Sequence, residues 1–337
     1  MLMMRSTASA TGEQSRSAHP LALTIILGGQ LMIVLDGTVI YTALPQVLAD
    51  LGFSAATLSW VQNAYLLGFG GFMLLGARTG DMAGHRRVFL AATTLFVVAS
   101  VAAGLAPSAS WLVAARGIQG VAAAFTAPSI LALLMSLYTE GPARARALML
   151  HTAISGGGSA LGLILGGLLT SFVSWRATFL INLPIGAVVL MLGQRCLPAS
   201  IGRKVHIDLV GALAVTLGMG ALIYGLVQAA HDGAQLSGIV APIVVGVVLL
   251  ATFVWVESCA AQPIMPLRLF RDAQRAGAYL SKSLLVGGML GTFFFLTQYV
   301  QRGLGFSALE AGAIFLPLSV TQCLMVLLGV PKLTSPR

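Results

Sequence analysis

Gly76-Ala77-Arg78-Thr79-Gly80-Asp81-Met82-Ala83-Gly84-His85-Arg86-Arg87 is a short polar stretch between two long apolar runs, Thr57 to Leu75 before it and Val88 to Ala106 after it. Three arginines, one aspartate and three glycines fill a gap too short to hold a domain. Between two helices of membrane length such a gap is a tight turn on one face of a bilayer. Its arginine excess selects the face, because short cationic loops stay cytoplasmic. The chain is therefore read as an all-α polytopic membrane protein, oriented by this turn.

Composition agrees. Of 337 residues 57% are hydrophobic and 9% charged, and the mean hydropathy is +0.92. Soluble domains carry about 25% charged residues. The net charge of +9 does not point to nucleic acid, since the basic residues are parcelled out between apolar segments rather than gathered on one face. Cys196, Cys259 and Cys323 show no CxxC spacing and read as buried or helix-end thiols. Met1–Pro20, rich in Ser, Thr and Ala, reads as a disordered cytoplasmic tail. The run from Leu21 is too long for a signal-peptide core and contains an aspartate, so it reads as a retained helix.

A membrane crossing needs about 20 mostly apolar residues. Ten segments meet that length: Leu21–Leu44, Thr57–Ala77, Val88–Ala106, Trp111–Leu137, Ala147–Phe172, Ala177–Leu197, Leu209–Ala229, Leu236–Val256, Ala278–Val300 and Ala308–Val330. A β-barrel is excluded, because its strands are about ten residues long with alternating polarity. With the amino-terminal tail inside, nearly every lysine and arginine falls on an inner segment. Only Arg176 and Arg302 fall on outer loops, and Arg116 lies within a helix. This bias predicts that both termini are cytoplasmic.

Charges inside the spans cost about 2.5–3.5 kcal/mol each on insertion scales, so they mark cavities or partners. Asp36, in Leu35-Asp36-Gly37-Thr38-Val39-Ile40, is a candidate proton or cation site, or else a structural acid capping a helix break at Gly37. Arg116, in Arg116-Gly117-Ile118-Gln119-Gly120, stays protonated. It tunes a nearby acid or anchors the bundle. Glu257 and Glu310 read as interfacial, Asp208 as a helix cap, and His151 as an interfacial histidine. Gly158, Gly162, Gly166 and Gly167 in the fifth span predict one close helix–helix seam. No nucleophile–base pair, metal-ligand cluster or phosphate loop is present in the sequence, and an enzyme is not expected.

Four stretches together carry a resemblance. Gly80 to Arg87 resembles the cytoplasmic turn between the second and third helices of the major facilitator superfamily. Leu35 to Pro45 is similar to the first-helix motif of its fourteen-helix drug:proton antiporter branch. Arg116 to Gly120 is similar to the fourth-helix motif, and Gly158 to Gly167 to the fifth-helix motif, with Leu163 where that motif usually has proline. Trp175-Arg176-Ala177-Thr178-Phe179-Leu180-Ile181-Asn182-Leu183-Pro184-Ile185-Gly186 adds a further family-like stretch.

The resemblance implies a helical bundle with about ten of an expected fourteen helices, the chain being a fragment or a shortened product. The expected layout is a tail (1–20), a first six-helix bundle (21–197), a cytoplasmic loop (198–208), two linker helices (209–256), a second cytoplasmic loop (257–277) and the start of a second bundle (278–337). It implies that Asp36, Arg116 and Gln119 belong to the proton-coupling and transport site. Asp81, Gly84, Arg86 and Arg87 become a conformational latch. Gly158, Gly162, Gly166 and Gly167 become the packing seam. The expected function is export of lipophilic or cationic small molecules across the cell membrane, driven by protons through alternating access, by a monomer without metal or cofactor. A narrower metabolite transporter of the same fold, or an inactive truncated membrane protein, are the competing readings.

Overall fold

The computed structural model describes residues 6–54, 57–200, 202, 209–229, 235–259 and 271–324. Within them run α1 (Ser6–Leu51), α2 (Trp60–Ala83), α3 (His85–Gly104), α4 (Ala109–Leu137), α5 (Gly141–Phe172), α6 (Ala177–Leu180), α7 (Asn182–Cys196), α8 (Leu209–Ala229), α9 (Leu236–Cys259), α10 (Ala273–Gln298), α11 (Ala308–Ile314) and α12 (Leu316–Leu324). As far as the described residues reach, each predicted span is helical, the sixth being split into α6 and α7 and the tenth into α11 and α12, with 325–330 of the tenth outside the described residues.

Among the described residues seven helices are long and apolar enough to cross a membrane. The segments Leu213–Ala229 and Ala308–Leu318 are apolar but shorter. The protein is a multi-pass, all-helical membrane protein. In lipid every backbone polar group must be satisfied internally, and helices do that locally.

Three boundaries differ from expectation. Helix α1 begins at Ser6 rather than Leu21. Once a helix is nucleated, each added residue costs little, and Ser6–His19 contains good helix formers such as Ala8, Ala10, Glu13 and Gln14. The sixth span is interrupted at Ile181. There Pro184 lacks the N–H that would reach the Leu180 carbonyl, and its ring crowds that group. Helix α1 passes Gly37 without a break, so Asp36 does not cap one. Asp208 and most of the loop at 198–208, with Arg203 and Lys204, lie outside the described residues, as do Arg5, Arg268, Lys332 and Arg337.

Helices α1 to α7 form one bundle with two apolar cores. One gathers Ile26, Met32, Phe89, Phe96, Ile130 and Val189. The other gathers Tyr41, Leu44, Leu58, Leu112, Trp175 and Phe179. On α1, α3 and α4 the two cores occupy opposite ends of the helix, while on α2 they meet one turn apart at Val61 and Tyr65. On α1 they leave out Val34 to Val39, on α4 Arg116 to Val121, and on α3 Val98 to Ala102. That uncovered level holds the buried polar residues Asp36, Ser100, Arg116 and Gln119.

The hairpin α8–α9 packs outside the bundle against α2. Thr216 Oγ1 donates to the Gly71 carbonyl at 2.9 Å, and Tyr224 lies 6.3 Å from Trp60, ring to ring. Helix α10 meets α1 near the latter's carboxyl end, where Phe293 stands 6.1 Å from Tyr41 and 5.1 Å from Phe315. Beyond it Gln301 Nε2 donates to the Thr42 carbonyl at 3.1 Å. By contrast Ser281–Gly288 of α10 are exposed throughout. The gap between α10 and the first bundle therefore widens toward the side that carries the α2–α3 turn.

Candidate functional site

The uncovered level holds one hydrogen-bonded network drawn from five helices. Asp36 of α1 and Arg116 of α4 are both 0% exposed. Asp36 Oδ2 accepts from Arg116 Nη1 at 2.6 Å. Its Oδ1 accepts from Gln119 Nε2 at 2.9 Å and from Asn182 Nδ2 of α7 at 2.8 Å. Ser100 of α3 accepts from the same two amides, at 2.8 and 3.2 Å.

The guanidinium is held as fully. Arg116 Nε donates to the Val61 carbonyl at 3.1 Å, Nη1 to Gln119 Oε1 at 3.1 Å, and Nη2 to Gln62 Oε1 at 3.4 Å. Its centre lies 4.3 Å from the Tyr65 ring and 5.8 Å from the Phe179 ring. An ion pair out of water survives only if most of its remaining hydrogen-bonding capacity is used, and here four of the five guanidinium N–H groups have partners.

The local sequence produces this convergence. Arg116 and Gln119 lie three apart, hence on one helical face. Gly120 lets α2 come close: a Cβ there would stand 2.1 Å from the Tyr65 carbonyl oxygen. A Cβ at Gly68 would likewise stand 2.5 Å from the Gly117 carbonyl oxygen, and one at Gly76 2.3 Å from that of Ala124. This α2–α4 seam brings Val61, Gln62 and Tyr65 onto Arg116. One short motif thus supplies both the charge and the close approach that satisfies it.

A cavity of about 180 Å³ adjoins the network, lined by Tyr41, Gln62, Asn63, Leu290, Phe294 and Phe295 among others. Gln62 belongs to both, touching Arg116 on one side and the cavity on the other. The wall is aromatic and amide, without a charged side chain. A second, apolar cavity of about 540 Å³ lies between α5 and α12.

At the α2–α3 turn the four predicted residues do different things. Gly84 alone joins the two helices, at φ +90°, and a Cβ there would meet the Ser200 carbonyl oxygen at 2.3 Å. Arg86 donates its backbone N–H to Ser200 Oγ at 2.8 Å, and its guanidinium to the Gln194 carbonyl in the last turn of α7. Cations favour such a helix end. Asp81 pairs with His85 at 3.2 Å within the turn, and Arg87 is exposed. The bridge therefore runs from Arg86 to the end of α7.

The glycines of α5 make two seams where one was expected. Cβ atoms at Gly158, Gly162 and Gly166 would meet α1 at Val34, Thr38 and Val39. Gly167 faces the other way, its Cβ position 2.6 Å from the Ala308 carbonyl oxygen of α11, and Gly312 approaches the Leu163 carbonyl equally closely. Residues 166 and 167 point about 100° apart around a helix of 3.6 residues per turn.

Nothing in the sequence marks Ser100 or Tyr65 as part of the site, and Asn182 lies in the family-like stretch Trp175 to Gly186. Nor does the sequence mark Asp50, whose Oδ2 accepts from Trp175 Nε1 at 2.7 Å and from Arg176 at 3.2 Å, tying the end of α1 to the start of α6. Glu257, expected at an interface, is buried to 3% exposure. Glu310 closes a capping box with Ser307 at the start of α11. His151 is half-buried in α5.

Residues 26–333 match the Major Facilitator Superfamily. The chain is 40% identical over 97% of its length to a cephamycin export protein from Amycolatopsis lactamdurans, covering 68% of that protein. It is 41% identical over 88% of its length to a puromycin resistance protein from Streptomyces alboniger, covering 59% of it. The chain thus spans about six- to seven-tenths of these relatives' lengths. In fold it is similar to the human organic anion transporter MFSD10, with a TM-score of 0.52 over 91% of this chain and 71% of that one, at 17% identity.

Proposed function

The chain belongs to the major facilitator superfamily, and from that premise we propose that it works as a proton-coupled exporter of amphipathic, drug-like small molecules. The observation that carries this reading is the buried Asp36–Arg116 pair, desolvated and linked through Gln62 to an adjoining cavity. The names of the relatives, an antibiotic exporter and an antibiotic resistance protein, support the substrate class.

Asp36 takes up and releases the proton. Arg116 stays charged and competes with that proton for the carboxylate, and Gln119 holds the two in register. Neutralising Asp36 removes the anion that fixes Arg116, so the five-helix network loosens and one conformation loses its advantage. Rocking of the two halves around the cavity then exposes it alternately to each side. Proton entry supplies about 2.3 kcal/mol per charge per 100 mV. No cofactor is needed for that coupling.

Residues 21–197 act as the first bundle, 209–256 as linker helices, and 278–337 as the beginning of the second bundle. The basic α2–α3 turn faces the cytoplasm of a cell membrane, with both chain ends on that side. Asp81, Gly84, Arg86 and Arg87 form the latch, with Arg86 its anchor on α7. The seams at Gly158, Gly162 and Gly166 on one side and Gly167 on the other let α5 slide between α1 and α11. The protein works as a monomer in the bilayer on lipophilic or cationic substrates.

The test is accumulation of a fluorescent lipophilic cation in a pump-deficient host expressing the chain. Lower accumulation that a protonophore abolishes supports the reading. Accumulation equal to that of the empty vector at matched expression contradicts it.

A further inference from the structure

The Asn182 amide stands out in the network, because half of it is used and half is not. Nδ2 donates to Asp36 Oδ1 at 2.8 Å and to Ser100 Oγ at 3.2 Å. Oδ1 is buried and has no hydrogen-bond partner among the described residues, on a residue that is itself 0% exposed. A buried acceptor left unmade is costly, and chemistry fixes which way round the amide sits. An ionised carboxylate only accepts, so the NH2 must face Asp36 and the carbonyl must face away.

Protonating Asp36 reverses that requirement. The new O–H needs an acceptor inside the same dry pocket. Gln119 Oε1 already accepts from Arg116, and Ser100 Oγ accepts two amide donors while giving its own proton to the Phe96 carbonyl at 2.8 Å. The network oxygen with no hydrogen bond at all among the described residues is the Asn182 carbonyl, one half-turn of the terminal amide away. That torsion is broad and roughly two-fold, so the two orientations of the amide lie in wells of similar torsional energy.

We propose that Asn182 is a positioning residue that reads the protonation state of Asp36, donating to the carboxylate and, after rotation of its amide, accepting from the acid. This rests on the reading of Asp36 as the proton site. The proton comes from solvent and ends on an Asp36 carboxyl oxygen, and no other bond changes. The charged and titratable groups facing Asp36 are Arg116 from α4 and Tyr65 from α2, and Tyr41, five residues further along α1, acts on Arg116 and Tyr65. The neighbouring α3 and α7 contribute Ser100 and Asn182, which do not titrate. Asn182 is also the first residue of α7, immediately after the interruption at Ile181. Its reorientation is therefore felt at the joint between α6 and α7, from which α7 runs to the Arg86 anchor.

The sequence makes this measurable, for it contains two asparagines, Asn63 and Asn182. Infrared difference spectra of the purified chain, labelled with carbon-13 at the asparagine amide and stepped through pH, resolve both partners. Asp36→Asn identifies the carboxyl band of Asp36, and Asn63→Gln removes the other labelled amide. The expected result is a shift of the Asn182 amide band at the pH where the Asp36 carboxyl band appears. Removing one donor to the ionised form favours the acid. In Asn182→Leu the carboxyl band should then move away from its wild-type pH, toward the side that favours the acid. A silent labelled amide while Asp36 protonates overturns the role of Asn182 and leaves the proton site standing, and so does an unchanged midpoint in Asn182→Leu. The labelled wild-type spectrum decides even where that variant does not fold. Absence of any Asp36 carboxyl band at all pH values overturns the proton site itself, and this inference with it.

Discussion

Gly120 of α4 sits directly against the backbone of Tyr65 in α2, so close that a Cβ would stand 2.1 Å from the Tyr65 carbonyl oxygen. The same contact aims Val61, Gln62 and Tyr65 at the Arg116 guanidinium. Gly117, three residues earlier, has open space where its Cβ would be. Two glycines of one motif therefore have different reasons to be there.

Gly120→Ala forces backbones apart, and overpacking of this kind costs about 1–3 kcal/mol. It should lower the thermal unfolding midpoint of the purified protein. Gly117→Ala meets no clash and gains helix propensity of about 0.5–1 kcal/mol, so its midpoint should hold or rise. Equal losses in the two variants would contradict the α2–α4 seam.

Breaking the buried pair from one side leaves a charge without its partner, at about 3–5 kcal/mol. Arg116→Met and Asp36→Leu should each destabilise strongly. The double variant should be less destabilised than their sum, because removing both charges together leaves neither stranded. A double-variant cycle in denaturant reads this coupling directly, and additive losses would show that the pair makes no energetic link.

The Arg86 bridge to α7 sets up a contrast between neighbours. Arg86→Ala removes the donor to Gln194 at the end of α7 and should speed proteolysis of the segment following α7. Arg87→Ala changes an exposed side chain and should leave that rate as it was. The same rate in both variants would mean that Arg86 does not anchor α7.

The two seams of α5 separate in hydrogen exchange. Gly162→Leu opposes Thr38 and Leu35 and should raise exchange in α1. Gly167→Leu opposes Ala308 and Leu309 and should raise it in α11. Exchange rising in α1 alone for both variants would restore a single seam.

Much of this architecture was legible in the chain because a bilayer punishes ambiguity. A polar stretch such as Gly76–Arg87 cannot lie in hydrocarbon, so the spans announced themselves and each of the ten corresponds to helix in the structure. Asp36 and Arg116 were visible for the same reason, being charges where charges are expensive. Their pairing was not, since 80 residues separate them and only the fold sets them 2.6 Å apart. Ser100 carries no charge and no periodic pattern, and Asn182 showed only as one member of the stretch Trp175 to Gly186; α3 and α7 bring both to the level of Asp36. Gly166 and Gly167 read as one signal because adjacency in sequence hides the turn of the helix between them. Asp50 lies past the apolar run of α1, where an acid is unremarkable; its bond to Trp175 is a matter of tertiary approach.

The central claim is that Asp36 carries the coupled proton, and substrate-driven proton movement in proteoliposomes tests it most directly. Vesicles holding the chain are given a lipophilic cation on one side, and the internal pH is followed with a trapped dye. The account predicts proton flux that rises with substrate in the wild-type chain and is absent in Asp36→Asn, with both proteins folded by circular dichroism. Undiminished substrate-driven proton flux through Asp36→Asn would contradict it.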